Sequence, residues 1–146
     1  MKNTLPILLV EDDKVDQMTV KRVLKYLNSE NPLVIRQNGL EALEYLNDGE
    51  NDCPGLILLD LNMPKMNGIE FLKEVKNNLK LRLIPIVVMT TSKEEKDRLA
   101  SFGQNVAGYM VKPVDYLQFL QVMETIYNYW LLSESAVVKE IKQFSY

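Results

Sequence analysis

Leu56-Ile57-Leu58-Leu59-Asp60-Leu61-Asn62-Met63-Pro64 is a short apolar run that stops at a carboxylate and turns. Continuous apolar stretches of this length, bounded by turn residues, suit strands buried on both faces of a parallel sheet. Working outward, four similar runs flank it: Ile7-Leu8-Leu9-Val10, Leu33-Val34-Ile35, Ile86-Val87-Val88-Met89 and Tyr109-Met110-Val111. Helical spacing fills the gaps. Val20, Val23, Leu24 and Leu27 share one face, as do Ala42, Leu43 and Leu46, then Leu72, Val75 and Leu79, and then Leu99, Ala100 and Phe102. Turn residues punctuate the boundaries, at 28–32, Asn38-Gly39, 47–55, 64–68 and Phe102-Gly103. Successive βα units in this order predict an α/β fold, a doubly wound five-stranded parallel sheet with helices on both faces.

The chain has 146 residues, 47% of them hydrophobic and 25% charged, which suits one globular domain. No apolar run approaches the roughly 18 residues of a membrane span, and the N-terminus lacks a signal-peptide pattern. One cysteine, Cys53, allows no internal disulfide and reads as a plain free thiol, so a cytoplasmic location is expected. There is no histidine. That excludes Ser-His-Asp and Cys-His catalysis, histidine-ligated zinc and a phosphohistidine on this chain. A net charge of −3 with scattered lysines and arginines gives no basic stripe for nucleic acid. The seven methionines read as core filler, except Met63, which is expected at the mouth of a site.

Open α/β sheets place their sites beyond the carboxyl ends of the strands. Those ends carry Glu11-Asp12-Asp13, Asp60-Leu61-Asn62, Thr90-Thr91-Ser92 and Lys112-Pro113. Each has a bland reading: Asp12 or Asp13 as a helix cap, Thr90 as a loop hydroxyl, Lys112 as a surface lysine, and Met63-Pro64 and Asn67-Gly68 as ordinary turns. Their joint placement is what carries information. Carboxylates brought within a few ångströms repel, and one lysine does not neutralise three of them. A hard divalent cation with oxygen ligands, Mg²⁺ or Mn²⁺, is the natural remedy. Asp12, Asp60 and the backbone carbonyl of Asn62 make a plausible ligand set, with Glu11 holding a coordinated water. Such an ion accepts phosphoryl oxygens, which points to Asp60 as an acceptor that carries the group as an acyl phosphate. Lys112 and the Thr90 hydroxyl would then bind the phosphoryl oxygens.

At this point the sequence resembles the receiver domain of two-component response regulators, over roughly residues 5 to 130. The matching stretches are 7–13, Leu58-Leu59-Asp60-Leu61-Asn62-Met63-Pro64 through Gly68, Val88-Met89-Thr90-Thr91, and Gly108-Tyr109-Met110-Val111-Lys112-Pro113. The resemblance implies a flavodoxin-like sheet of order 2-1-3-4-5, Asp60 as the phosphorylated aspartate, Glu11 and Asp12 as the acidic metal pair, and Lys112 as the phosphoryl ligand. It also implies switch positions at Thr90 and Tyr109, a cis peptide between Lys112 and Pro113, and a sensor histidine kinase as partner. The loop at 90–92, the connection at 28–32 and the aromatic end of the last helix look like the single-domain regulators associated with phytochromes. The expected organisation is a receiver domain over 1–130, a C-terminal extension over 131–146 and no output domain. The expected role is signalling, with slow self-catalysed phosphotransfer and dephosphorylation.

Three other readings are weighed against this. A flavodoxin-like binder would need a Ser/Thr/Gly phosphate loop after the first strand, where Glu11-Asp12-Asp13 would repel the phosphate. An aspartyl phosphatase of the haloacid dehalogenase type would also use a strand-end Asp with Mg²⁺, but it carries a second Asp two residues later, where Asn62 stands. A pseudo-receiver, folded but not phosphorylated, usually lacks an acid, the acceptor or the lysine, and all are present here. On a helical wheel at about 100° per residue, Gln118, Gln121, Glu124, Thr125 and Asn128 occupy one arc of the last helix. Apolar residues fill the rest, wider than one sheet face requires. The surplus predicts a homodimer through Phe119, Ile126, Tyr129 and Trp130. The tail contributes through Val137, Val138, Ile141 and Phe144, or folds back to cover the helix itself.

Overall fold

The computed structural model describes residues 4–91 and 93–133. Five parallel strands form one sheet: β1 (Ile7–Val10), β2 (Leu33–Arg36), β3 (Leu56–Leu59), β4 (Ile86–Thr90) and β5 (Gly108–Val111), in the order β2-β1-β3-β4-β5. The helices are α1 (Lys14–Tyr26), α2 (Gly39–Asn47), α3 (Gly68–Lys76), α4 (Glu95–Gly103) and α5 (Tyr116–Leu132). This is the flavodoxin-like arrangement and strand order expected. Every residue of β1, β3 and β4 is buried, as a central parallel strand covered on both faces requires.

Alternate residues of the strands feed two cores. Leu8, Val10, Ile57, Leu59, Ile86 and Val88 pack with Ala42, Tyr45, Phe71, Leu72 and Val75 of α2 and α3. Ile7, Leu9, Leu56, Leu58, Val87 and Met89 pack with Val20, Val23 and Leu24 of α1 and with Phe119, Met123, Ile126, Tyr127 and Trp130 of α5. Among the described residues no helix is long and apolar enough to cross a membrane.

The structure departs from the sequence expectations in four places. Helix α3 ends at Lys76, so Leu79 lies beyond it, exposed, and the chain continues into a 3₁₀ turn at Leu81–Leu83. In α4 the supposed apolar stripe faces outward: Leu99, Ala100 and Phe102 are exposed, while Ser101 is buried with its hydroxyl donating to the Asp97 carbonyl. A hydroxyl that bonds within its own helix loses little by burial, and the small side chain lets α4 approach the sheet.

The third departure concerns α5. Phe119, Ile126 and Trp130 are not interface residues of an exposed face; they are buried against this chain's own sheet. The apolar arc is wide because aromatic residues with polar tips extend it. Trp130 donates its indole N–H to the Gly55 carbonyl at 3.0 Å, and the Tyr127 hydroxyl donates to Asn31 Oδ1 at 2.8 Å. The glycine is needed there, because a Cβ on Gly55 would stand 2.7 Å from the Trp130 ring. Of the four residues, Tyr129 alone is exposed, beside Leu132.

The fourth is the Lys112–Pro113 peptide, which is trans; no cis bond occurs among the described residues. Trans is the lower-energy isomer of an X-Pro bond, and here ion pairs rather than isomerisation direct the lysine. The tail residues Val137, Val138, Ile141 and Phe144, and Ser92 of the fourth strand end, lie outside the described residues.

Candidate phosphoryl-accepting site

The sheet ladder continues one residue past three strands. The Glu11 N–H donates to the Arg36 carbonyl at 3.0 Å, the Asp60 N–H to the Val10 carbonyl at 3.0 Å, and the Lys112 N–H to the Thr90 carbonyl at 2.8 Å. Parallel register therefore brings Glu11, Asp60, Thr90 and Lys112 to one end of the sheet, although up to about a hundred residues separate them in sequence. One carboxylate oxygen from each of Glu11, Asp12 and Asp60 lies within 4.8 Å of the others.

Local chemistry holds these groups in place. Asp13 caps α1, accepting from the N–H groups of Val15 at 2.8 Å and Asp16 at 3.2 Å. Its own N–H donates to Glu11 Oε2 at 3.2 Å, and Gln17 Nε2 donates to the Glu11 carbonyl at 2.6 Å. Behind Asp60 the chain turns into α3, which opens on Gly68. A Cβ there would stand 2.6 Å from Leu61 Cα and 2.8 Å from the Asp60 carbonyl, so only glycine permits the close approach. Asn67 caps α3, its Oδ1 accepting from the Glu70 N–H at 3.0 Å while its own N–H donates to Glu70 Oε1 at 3.4 Å.

The electrostatics are those of a compressed acidic site. Asp60 is 7% exposed, and its Oδ1, buried, has no hydrogen-bond partner among the described residues. Burial pushes the Glu11 carboxyl up to about 7, against the lowering effect of its hydrogen bond and ion pair with Lys112. The Lys112 ammonium donates to Glu11 Oε1 and, at 2.8 Å, to Asp16 Oδ2, and stands 3.9 Å from Asp60 Oδ2. Burial works to lower its pKa, but the bonds to Asp16 and Glu11 and the charges of Glu11 and Asp60 outweigh that and hold it above the ordinary lysine value.

Thr90 is fully buried, and Asn62 Nδ2 reaches its hydroxyl at 3.5 Å. In the β4–β5 register Val88 faces Tyr109 and Thr90 faces Val111, so Thr90 and Tyr109 are diagonal neighbours on one face of the sheet. The half-buried Tyr109 ring lies 6.5 Å from that of Phe102 on α4. Met63 lines a cavity of about 350 Å³ together with Leu61, Asn62, Asn67, Ile69 and Asp97, beside the acceptor loop. Cys53 takes no part; burial raises its thiol to about 11.

The structure thus gathers Glu11, Asp12, Asp60, Asn62, Thr90 and Lys112 at one end of the sheet, and adds Asp16, which sequence reasoning passed over. A signal for it existed. Asp16 follows the Asp13 cap by three residues, in the first turn of the helix that leaves the acidic strand end. The unpartnered buried oxygen of Asp60 and the converging carboxylates fit a divalent cation: hard oxygen donors with a net negative charge.

Comparisons with known proteins agree with this geometry. The family model for the response regulator receiver domain matches residues 7–124. The response regulator Rcp1 of Synechocystis sp. is 42% identical over 129 residues, covering 86% of this chain and 88% of Rcp1. FilR2 of Methanothrix harundinacea, described as a probable methanogenesis regulatory protein, is 35% identical over 128 residues, covering 86% and 83%. The crystal structure of Mn²⁺-bound Rcp1 superposes with a TM-score of 0.82 at 40% identity, over 89% of this chain and 96% of that one. The phosphorylated cyanobacterial phytochrome response regulator RcpA gives 0.84 at 35% identity, over 90% and 97%.

Proposed function

Because this chain belongs to the response regulator receiver domain family, we propose that Asp60 accepts a phosphoryl group from a phosphohistidine on a sensor histidine kinase. The observation that carries the reading is Asp60 itself: a buried carboxylate with one oxygen unpartnered, facing two further acids and a lysine. A carboxylate oxygen of Asp60 attacks phosphorus, the P–N bond to the donor imidazole breaks, and the imidazole keeps the electron pair and takes up a proton. Asp12, Asp60 and the Asn62 carbonyl, with Glu11 through a water, would hold Mg²⁺ or Mn²⁺. The ion supplies charge neutralisation and orientation of the phosphoryl oxygens. Lys112 and the Thr90 hydroxyl hold the remaining oxygens. Hydrolysis of the acyl phosphate is slow, since Asn62 is no general acid and the chain has no histidine.

The donor is a macromolecule of the phytochrome-kinase type. Two features support this: the likeness to RcpA, and exposed Val15 and Met18 on the first turns of α1 with Val114 and Leu117 just after Lys112. These apolar side chains border the acidic site and suit a docked protein better than a small ester. The output is an association switch. Thr90 turns towards the phosphoryl group, Tyr109 turns inward behind it, and the α4–β5–α5 side changes shape. A second copy of the chain is the proposed occupant of that side, where β5 is an open sheet edge and Leu99, Phe102, Val111, Tyr129 and Leu132 are exposed.

Intact mass after acetyl phosphate treatment tests the acceptor. One phosphoryl adduct is expected with Mg²⁺, none in EDTA and none in Asp60→Asn. An adduct that persists in Asp60→Asn overturns the assignment. No adduct under any condition favours the pseudo-receiver, and many turnovers of a phosphate ester favour the phosphatase.

A further inference from the structure

We propose that Asp16 is a positioning residue for Lys112: a carboxylate on α1 that holds the ammonium back from Asp60 and must yield it when a phosphoryl group arrives. The inference rests on the reading of Asp60 and Lys112 given above. Two observations support it independently.

The first is distance. Lys112 Nζ lies 2.8 Å from Asp16 Oδ2 but 3.9 Å from Asp60 Oδ2, so its hydrogen bonds go to Glu11 and Asp16 and not to the acceptor. The lysine side chain is 11% exposed and that of Asp16 36%, so the pair is partly screened and held more firmly than one between two fully exposed groups.

The second is the helix start. An acid three residues after a helix cap ordinarily reaches back to the N–H of the cap residue, and Glu70 does so at the start of α3. In α1 the equivalent acid is Asp16, but the Asp13 N–H is already taken by Glu11 Oε2. Relieved of capping, the Asp16 carboxylate turns to Lys112.

The consequence is competition. A phosphoryl group on Asp60 puts anionic oxygens near the ammonium, whose third N–H is not spent on Glu11 or Asp16. Closing on them from 3.9 Å draws Nζ towards Asp60 and away from the 2.8 Å bond to Asp16. Asp16 thus weakens the hold on the phosphoryl group and favours the unphosphorylated arrangement.

The test uses the full chain at saturating Mg²⁺, with beryllofluoride binding measured by calorimetry. Asp16→Asn should bind beryllofluoride about threefold to tenfold tighter than the native chain, the range of a partly screened charged hydrogen bond. Asp16→Glu, which restores the charge, should return towards native affinity. Asp13→Asn is the charge control, since asparagine caps as well as aspartate and the Asp13 carboxylate accepts from the Val15 and Asp16 N–H groups; it should change affinity much less. A second readout is the Lys112 ammonium resonance, identified by its loss in Lys112→Ala. Asp16→Asn should shift it in the metal-loaded protein and leave it unmoved in the beryllofluoride complex. Equal effects of Asp16→Asn and Asp13→Asn, or unchanged or weaker binding in Asp16→Asn, overturn the proposal. A native chain that binds no beryllofluoride fails the Asp60 reading itself, whereas native binding indifferent to Asp16 fails only this inference.

Discussion

The Lys112 ammonium stands 3.9 Å from Asp60 Oδ2, inside ion-pair range but outside hydrogen-bond range. The lysine is shared among three carboxylates and saturates none of them, so the acceptor keeps a buried oxygen with no partner among the described residues. An aspartate tied up in a tight ion pair would be a poor nucleophile.

Lys112→Ala should leave divalent metal affinity similar or higher, because a competing cation is gone while the carboxylates remain. It should also uncouple phosphorylation from change at Tyr109. Calorimetric titration with Mg²⁺ or Mn²⁺ checks the first part, and a large loss of affinity would contradict it.

The metal-free protein should become less stable as pH rises from about 4.5 to about 7. The Glu11 carboxyl titrates at about 7 in the folded chain and near 4.5 when unfolded. Between those values the folded state binds a proton that the unfolded state has released, so the contribution is full below about 4.5 and lost through about 7. Its size is on the order of 3 kcal/mol. Melting temperatures in EDTA should show the decline, Glu11→Gln should flatten it, and saturating Mg²⁺ should oppose it by favouring ionised carboxylates. A slope identical in Glu11→Gln and native protein would contradict this.

Gly68→Ala should cost about 1–3 kcal/mol, the usual range for forced overpacking, and lower the extent of phosphorylation along with stability. The added methyl meets the Leu61 and Asp60 backbone, which cannot yield without moving the acceptor. Denaturant midpoints and intact mass measure the two effects separately.

Trp130→Ala should destabilise the monomer by roughly 3–5 kcal/mol, since the ring is 6% exposed and its N–H is bonded to the Gly55 carbonyl. Tyr129→Ala should leave stability nearly unchanged and weaken self-association. Ultracentrifugation with and without beryllofluoride, on the native chain, Tyr129→Ala and Thr90→Ala, reads both the dimer and its coupling to the site. A monomer in every state at high micromolar concentration would remove the dimer from the proposal.

Much of this protein was legible in its sequence, and for definite reasons. Strands buried on both faces are apolar along their length, so the runs at 7–10, 56–59 and 86–89 announced themselves. Parallel topology puts whatever follows each strand at one end of the sheet, so Glu11, Asp60, Thr90 and Lys112 could be grouped before any coordinates. Other features depended on side-chain packing between elements. Which way α5 spends its wide apolar arc was decided by the reach of Trp130 to Gly55 and of Tyr127 to Asn31, long-range contacts with no periodic signature. Whether α4 buries leucine or serine depended on how closely it approaches the sheet. Asp16 was one more acid in a helical first turn until the fold set Lys112, 96 residues later, against it. Periodicity and strand-end chemistry are local and survive in a string of letters; the choice among several carboxylates for one ammonium is a matter of ångströms, and only tertiary packing makes it.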